Sequence, residues 1–256
     1  MNTQNCLAVM GFTWLEIRRA RLWRLALALV LIGCVVAEFA ASIAITESAQ
    51  YRLVMYAASM RLVAVFVMAL LVATSVLREI DDQVVELILA RPISRSEWYI
   101  GKLLGYVAAA LGFAVLVSLP LIIQTPIQGS AWCYSLFLEL IIVSAAALAF
   151  AITLRRLTVA LSVVAGFYLL ARAIAGLVLI SRGPTVDGSL TSSRFIASVI
   201  DMLAYVLPAL DRFTNAAWLV DTAPSVTDLG LLTLQTTIYT AFLIALGLFD
   251  LFRRNF

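Results

Sequence analysis

Six apolar runs dominate this chain of 256 residues: Leu25–Ile45, Leu53–Leu77, Leu103–Ile123, Trp132–Leu154, Leu157–Ser181 and Leu229–Leu251. A helix that spans the hydrocarbon core of a bilayer needs about 20 mostly apolar residues, and each run reaches that length. In all, 63% of the residues are hydrophobic, against about 45–50% in soluble domains. The expected fold is an all-α membrane protein with six transmembrane helices, forming a single transmembrane domain over residues 1–256. No small-residue cleavage site follows the first run, so it reads as a span and not as a cleavable signal peptide.

Basic residues distribute unevenly about these spans. Arg18, Arg19, Arg21 and Arg24 precede the first, and Arg78, Arg91, Arg95 and Lys102 separate the second from the third. Arg155 and Arg156 join the fourth to the fifth, and Arg253 and Arg254 follow the sixth. The other side holds only Arg52, Arg182, Arg194 and Arg212. By the positive-inside rule both termini and the loop between spans two and three face the cytoplasm. That topology suits the plasma (inner) membrane of a bacterium or archaeon.

The chain has no histidine, and its cysteines, Cys6, Cys34 and Cys133, show no CxxC spacing. The commonest metal ligand and the commonest neutral-pH base are therefore missing, and neither a zinc ribbon nor a thiol redox motif is indicated. No metal site and no catalytic residue are expected.

Outside the spans, residues 1–24 form a cytoplasmic overhang in which 8–24 read as an interfacial helix. Its Phe12, Leu15 and Trp23 suit the headgroup region, and its arginines suit anionic phosphates. Short turns join most spans, Pro120 and Pro126 are expected to end the third, and the brief Arg155-Arg156 link makes spans four and five an antiparallel hairpin. The exception is residues 182–228, which open with a Gly/Pro/Ser-rich stretch. Phe195, Ile196, Val199, Ile200 and Leu203 then recur at helical spacing, up to a break at Pro208. A second short apolar segment follows around Phe213 and Trp218. These short external helices before the sixth span read as a lid.

Four ionisable residues fall within spans: Glu38, Arg61, Glu139 and Arg172. At about 1.5 Å per residue, all four lie roughly 4–6 Å to the external side of the span midpoints. An isolated charge at mid-bilayer costs about 2.5–3.5 kcal/mol on insertion scales. Pairing is expected, Glu38 with Arg61 and Glu139 with Arg172, because each pair couples consecutive helices. Such pairs fasten helices together, or they line a polar cleft that re-pairs as a transporter opens.

The residues from Arg78 to Lys102 form a charged interruption between two lipid-embedded runs. Val84, Leu87, Ile88 and Arg91 share one helical face, with Asp81, Asp82 and Glu86 elsewhere on its surface. Pro92 stops that helix, and Ser94 or Ser96 caps the next with Glu97 in its first turn. Lys102 then marks the headgroup boundary. Within this stretch, Glu86-Leu87-Ile88-Leu89-Ala90-Arg91-Pro92-Ile93-Ser94-Arg95 and Gly101-Lys102-Leu103-Leu104-Gly105 resemble the permease subunits of type-2 ABC transporters. Leu207-Pro208-Ala209-Leu210-Asp211-Arg212-Phe213 is similar to a proline-containing segment that many such permeases carry before the sixth span. Where the family often has Gly-Thr before the acidic turn, this chain has Gln83-Val84.

The resemblance implies a permease subunit of an ATP-driven exporter. A second permease copy or a paralogue would pair with it in the membrane, and two copies of a cytoplasmic ABC ATPase would dock beneath. The loop helix would be a cytoplasmic coupling helix between spans two and three. Asp81, Glu86, Arg91 and Arg95 would make polar contacts with the ATPase, Leu87 and Ile88 would fill its groove, and Pro92 would set the turn. ATP and magnesium would be bound by that partner, since Gly101-Lys102 lacks the leading glycine spacing and following hydroxyl of a phosphate-binding loop. The chain is thus not expected to be an enzyme. Its partners are protein and membrane lipid, with no nucleic acid, and a lipid-like or amphipathic cargo suits its apolar interior. The alternative is a non-transporting membrane assembly or maturation scaffold, which would need no coupling helix.

Overall fold

In the computed structural model the described residues are 3–19, 22–43, 48–83, 93–181, 191–214, 217–220 and 223–253, with the side chains of 22–23, 191–196, 214 and 217 left aside. They form helices α1 (Thr3–Arg19), α2 (Leu22–Ile43), α3 (Ser48–Asp81), α4 (Arg95–Gln124) and α5 (Pro126–Leu154). After them come α6 (Leu157–Ser181), α7 (Thr191–Val206), a 3-10 turn (Leu210–Thr214), α8 (Ala217–Val220) and α9 (Val226–Arg253). No strand occurs among the described residues. Six helices, α2 from Arg24 onward, α3, α4, α5, α6 and α9, are long and apolar enough to cross a membrane.

Helix α5 lies at the centre and packs against α3, α4, α6 and α9. Its segment Ser144-Ala145-Ala146-Ala147-Leu148-Ala149 is fully buried. Small side chains there let neighbouring backbones come close, which matters in lipid, where van der Waals contact replaces hydrophobic driving force. By contrast α2 and α9 present Val35, Phe39, Ile43, Phe242 and Phe249 outward.

The α4–α5 joint departs from expectation. Pro120 does not end the third span; it sits inside α4, which continues to Gln124. Proline removes one ladder hydrogen bond, but spanning helices tolerate that where neighbours re-satisfy the freed group. Gln124 supports the turn after Pro120 by donating to the Pro120 carbonyl at 3.2 Å. Thr125 alone separates the helices, and Pro126 opens α5, where its missing N–H is harmless. Gly129 makes so tight a hairpin possible, since a Cβ there would lie 2.7 Å from the Ile122 nitrogen. The α5–α6 hairpin turns at Arg155, whose φ of 50° closes α5 with an N–H bond to the Ala151 carbonyl at 3.1 Å.

The segment before α9 follows its pattern with one shift of face. Helix α7 ends at Val206, just before Pro208. Ile200 and Ala204 pack toward the core while Val199 and Leu203 are exposed, so the buried face lies one residue on from the expected stripe. Beyond it Leu210, Phe213 and Leu219 are buried and anchor the 3-10 turn and α8.

At the N-terminus, α1 begins five residues before the expected helix. It buries Cys6, Val9, Thr13 and Ile17 and leaves Phe12 and Leu15 half exposed. The buried face lies along α4. Contact is close because Gly101 and Gly105 have no side chains. A Cβ at Gly101 would come within 2.8 Å of Val9 Cβ, and one at Gly105 within 2.6 Å of Thr13 Cβ.

Candidate functional site

The charged loop leaves α3 abruptly. Gln83 takes a left-handed φ of 56°, and Asp82 and Gln83 donate their N–H groups to the carbonyls of Arg78 and Ile80 at 2.9 and 3.2 Å. Asp81 is therefore the exposed last residue of α3 and not part of a separate loop helix. Glu86, Leu87, Ile88, Arg91 and Pro92 lie outside the described residues.

On the far side, α4 opens with a reciprocal cap at Ser94. Its hydroxyl accepts from Glu97 N–H at 3.2 Å, and its own N–H donates to Glu97 Oε2 at 3.1 Å. Glu97 Oε2 also accepts from Asn5 Nδ2 at 3.2 Å, which attaches α1. Arg95 Nη1 donates to the Leu251 carbonyl at 3.0 Å, attaching the end of α9.

Two turns into α4 lies a buried charge cluster. Lys102 does not reach out to water: its side chain is wholly buried and its ammonium bonds Glu79 of α3. The same ammonium lies 3.6 Å from Glu16 of α1. Glu16 in turn accepts from Arg78 at 2.5 Å and from the Ser75 hydroxyl at 3.1 Å. Tyr106 donates to Ser75 at 3.0 Å. Two carboxylates face two cations, and together they bind α1, α3 and α4 into one unit at the base of the loop. Nearer the start of α1, burial pushes the Cys6 thiol above its ordinary pKa, and the Glu97 charge adds to the rise.

A second polar node lies within the spans. Arg61 of α3 and Glu139 of α5 pair at 2.7 Å with both side chains essentially buried. Arg61 also donates to Ser135 Oγ and to the Phe213 carbonyl, each at 2.8 Å. Its guanidinium lies 4.9 Å from the Trp132 ring centre. Tyr168 of α6 donates to the other Glu139 oxygen at 2.9 Å and accepts from Arg172 at 2.9 Å.

These contacts correct the expected pairing. Arg61 joins Glu139, not Glu38, because α3 packs on the central α5 at that level. Glu38 is mostly exposed and pairs with Arg52 at 3.1 Å across the α2–α3 hairpin. Arg172 reaches Glu139 only through the Tyr168 hydroxyl. The node brings together three of the four in-span charges and adds the 3-10 turn through Phe213. Sequence reasoning missed Glu16, Glu79, Ser135 and Tyr168. For Ser135 the i, i+4 spacing to Glu139 was an available signal, as was that of Tyr168 to Arg172.

No family model matches the chain, and no curated protein matches it in sequence.

Proposed function

We propose that the chain is the permease subunit of an ATP-driven ABC exporter, moved by a separate cytoplasmic ATPase. The observation that carries this reading is the buried Lys102–Glu79–Glu16 cluster at the base of the charged loop. A solvated connector would need no such brace. A loop that receives force does, because force applied to it must move α3, α4 and α1 together and not bend the joint. Breaking a buried ion pair leaves an uncompensated charge, at about 3–5 kcal/mol, which makes the brace stiff. Arg95, bonded to the Leu251 carbonyl, extends the connection to the sixth span. The reading keeps both termini and the loop in the cytoplasm, with ATP and magnesium on the partner and a second permease copy or paralogue alongside. Leu87 and Ile88 would seat in the ATPase groove, flanked by Asp81, Glu86 and Arg91.

The test is purification of the full chain from its native membranes, with and without the double substitution Leu87→Glu/Ile88→Glu. An ATPase bearing a phosphate-binding loop should accompany the natural chain and be lost from the variant. An ATPase that stays bound to the variant in equal amount would exclude the loop as its docking element.

A further inference from the structure

Exposure along α1 follows a stripe that runs through Leu7, Ala8, Gly11, Phe12 and Leu15 and ends in Arg18 and Arg19. The spacing i, i+4, i+8, i+11 keeps these residues on one helical face. The opposite face, with Cys6, Val9, Thr13 and Ile17, is the buried one that lies along α4. Leu7, Phe12 and Leu15 are each more than half exposed. Between residues 3 and 37 the chain has one acid, Glu16, and Arg78, Lys102 and Ser75 engage it away from this face. Among the described residues no ion pair engages Arg18, Arg19 or Arg24. Arg24 is exposed as well and opens the first span. Arg19 precedes it by only five positions, so the end of α1 stays close to the level of the lipid phosphates.

We propose that this face of α1 docks on the anionic surface of the bilayer, and that anionic lipid thereby holds α1 in its seat on α4. Leu7, Phe12 and Leu15 sit among the headgroups, and Arg18 and Arg19 meet lipid phosphates. Charge decides the occupant. An apolar helix face edged by cations and free of acids is the pattern that lies in a membrane interface, and anionic lipids attract each arginine held near their surface. A second copy docked on the same face would bring the same arginines and no acid to the contact. The consequence reaches the buried charge cluster. Glu16 lies two positions before Arg18, and the Phe12 ring centre is 5.7 Å from the Lys102 ammonium. Lipid on the outer face of α1 therefore keeps Glu16 and Phe12 against Lys102. The site requires only that the chain lie in a bilayer, and not that it transport anything.

The test is alkylation of Cys6 by uncharged N-ethylmaleimide, read at that residue by mass spectrometry. The full chain is reconstituted into phosphatidylcholine vesicles with or without phosphatidylglycerol. Phosphatidylglycerol should slow the labelling at least tenfold, since each arginine near an anionic surface strengthens attachment about fivefold. Salt at about 1 M should remove the difference by screening. Arg18→Gln/Arg19→Gln changes two exposed positions and should label at one rate in both vesicles, whereas Arg18→Lys/Arg19→Lys should keep the difference. Labelling that ignores lipid charge would overturn the proposal, as would equal slowing by phosphatidylglycerol in the natural chain and the glutamine variant. Protection that rises with the protein-to-lipid ratio and not with phosphatidylglycerol would assign the face to a second copy and likewise overturn it.

Discussion

Arg61 makes four kinds of contact at once: an ion pair, a hydroxyl bond, a backbone carbonyl bond and a ring face. Removing it strands the Glu139 carboxylate among α3, α5 and α6. Arg61→Met should therefore destabilise the protein by about 3–5 kcal/mol, whereas Arg61→Met/Glu139→Gln should recover a large part of the loss. Tyr168→Phe deletes the bonds to Glu139 and Arg172 but leaves the Arg61–Glu139 pair in place, and should cost less than Arg61→Met, about 1.5–3 kcal/mol. Thermal unfolding of the detergent-purified variants checks the ranking; a double variant no better than Arg61→Met alone would refute the pairing. That charges in the spans must be compensated was legible from their depth, but the partners were not. Adjacency in sequence favours Glu38 for Arg61, while packing around α5 brings Glu139 to it. Lys102 shows the same limit, because a lysine at a span boundary reads alike whether it snorkels to water or turns inward to Glu79 and Glu16, residues 23 and 86 positions away.

Among the elements, α1 and its seat on α4 are the least expected. The glycines of Gly101-Lys102-Leu103-Leu104-Gly105 have a mechanical role, since they give Val9 and Thr13 room to reach the α4 backbone. Gly105→Leu should push α1 away and uncover Cys6, which is buried when α1 is docked. Alkylation of Cys6 by a soluble maleimide reads this out. In the natural chain labelling should be slow near neutral pH, because burial both shields the thiol and raises its pKa. The sign follows from that rise: the neutral thiol favours docking, so docking weakens as pH climbs through the raised value and labelling accelerates. The glycine variant should label quickly already at neutral pH, and equal rates in the two proteins would contradict the seating of α1. Run length made the six spans legible and helical spacing did the same for α7 and the segment after it. Pro120 was misleading because a rule for water-exposed helices ends a helix there, while a spanning helix flanked by α5 carries on.

For the molecule as a whole, the described residues make a helical bundle around α5 that is braced at two levels by buried charge. One level joins α3, α5, α6 and the 3-10 turn; the other joins α1, α3 and α4 at the base of the loop, with Arg95 reaching α9. Braces at both levels suit a body that moves as a unit when pushed at the loop, and in the function proposed above that push would come from an ATPase. Composition and charge distribution carried the sequence reading to a multi-pass membrane protein, and motif resemblance carried it to a permease. The brace was beyond its reach because Glu16, Glu79 and Lys102 meet only once three helices are placed. The most direct measurement is vanadate-sensitive ATP hydrolysis by the complex purified on the full chain from native membranes. The account predicts hydrolysis that copurifies with the natural chain and disappears with Leu87→Glu/Ile88→Glu, while Cys6 stays protected in both. Purified chain without any hydrolysis, or hydrolysis unchanged by the substitutions, would contradict it.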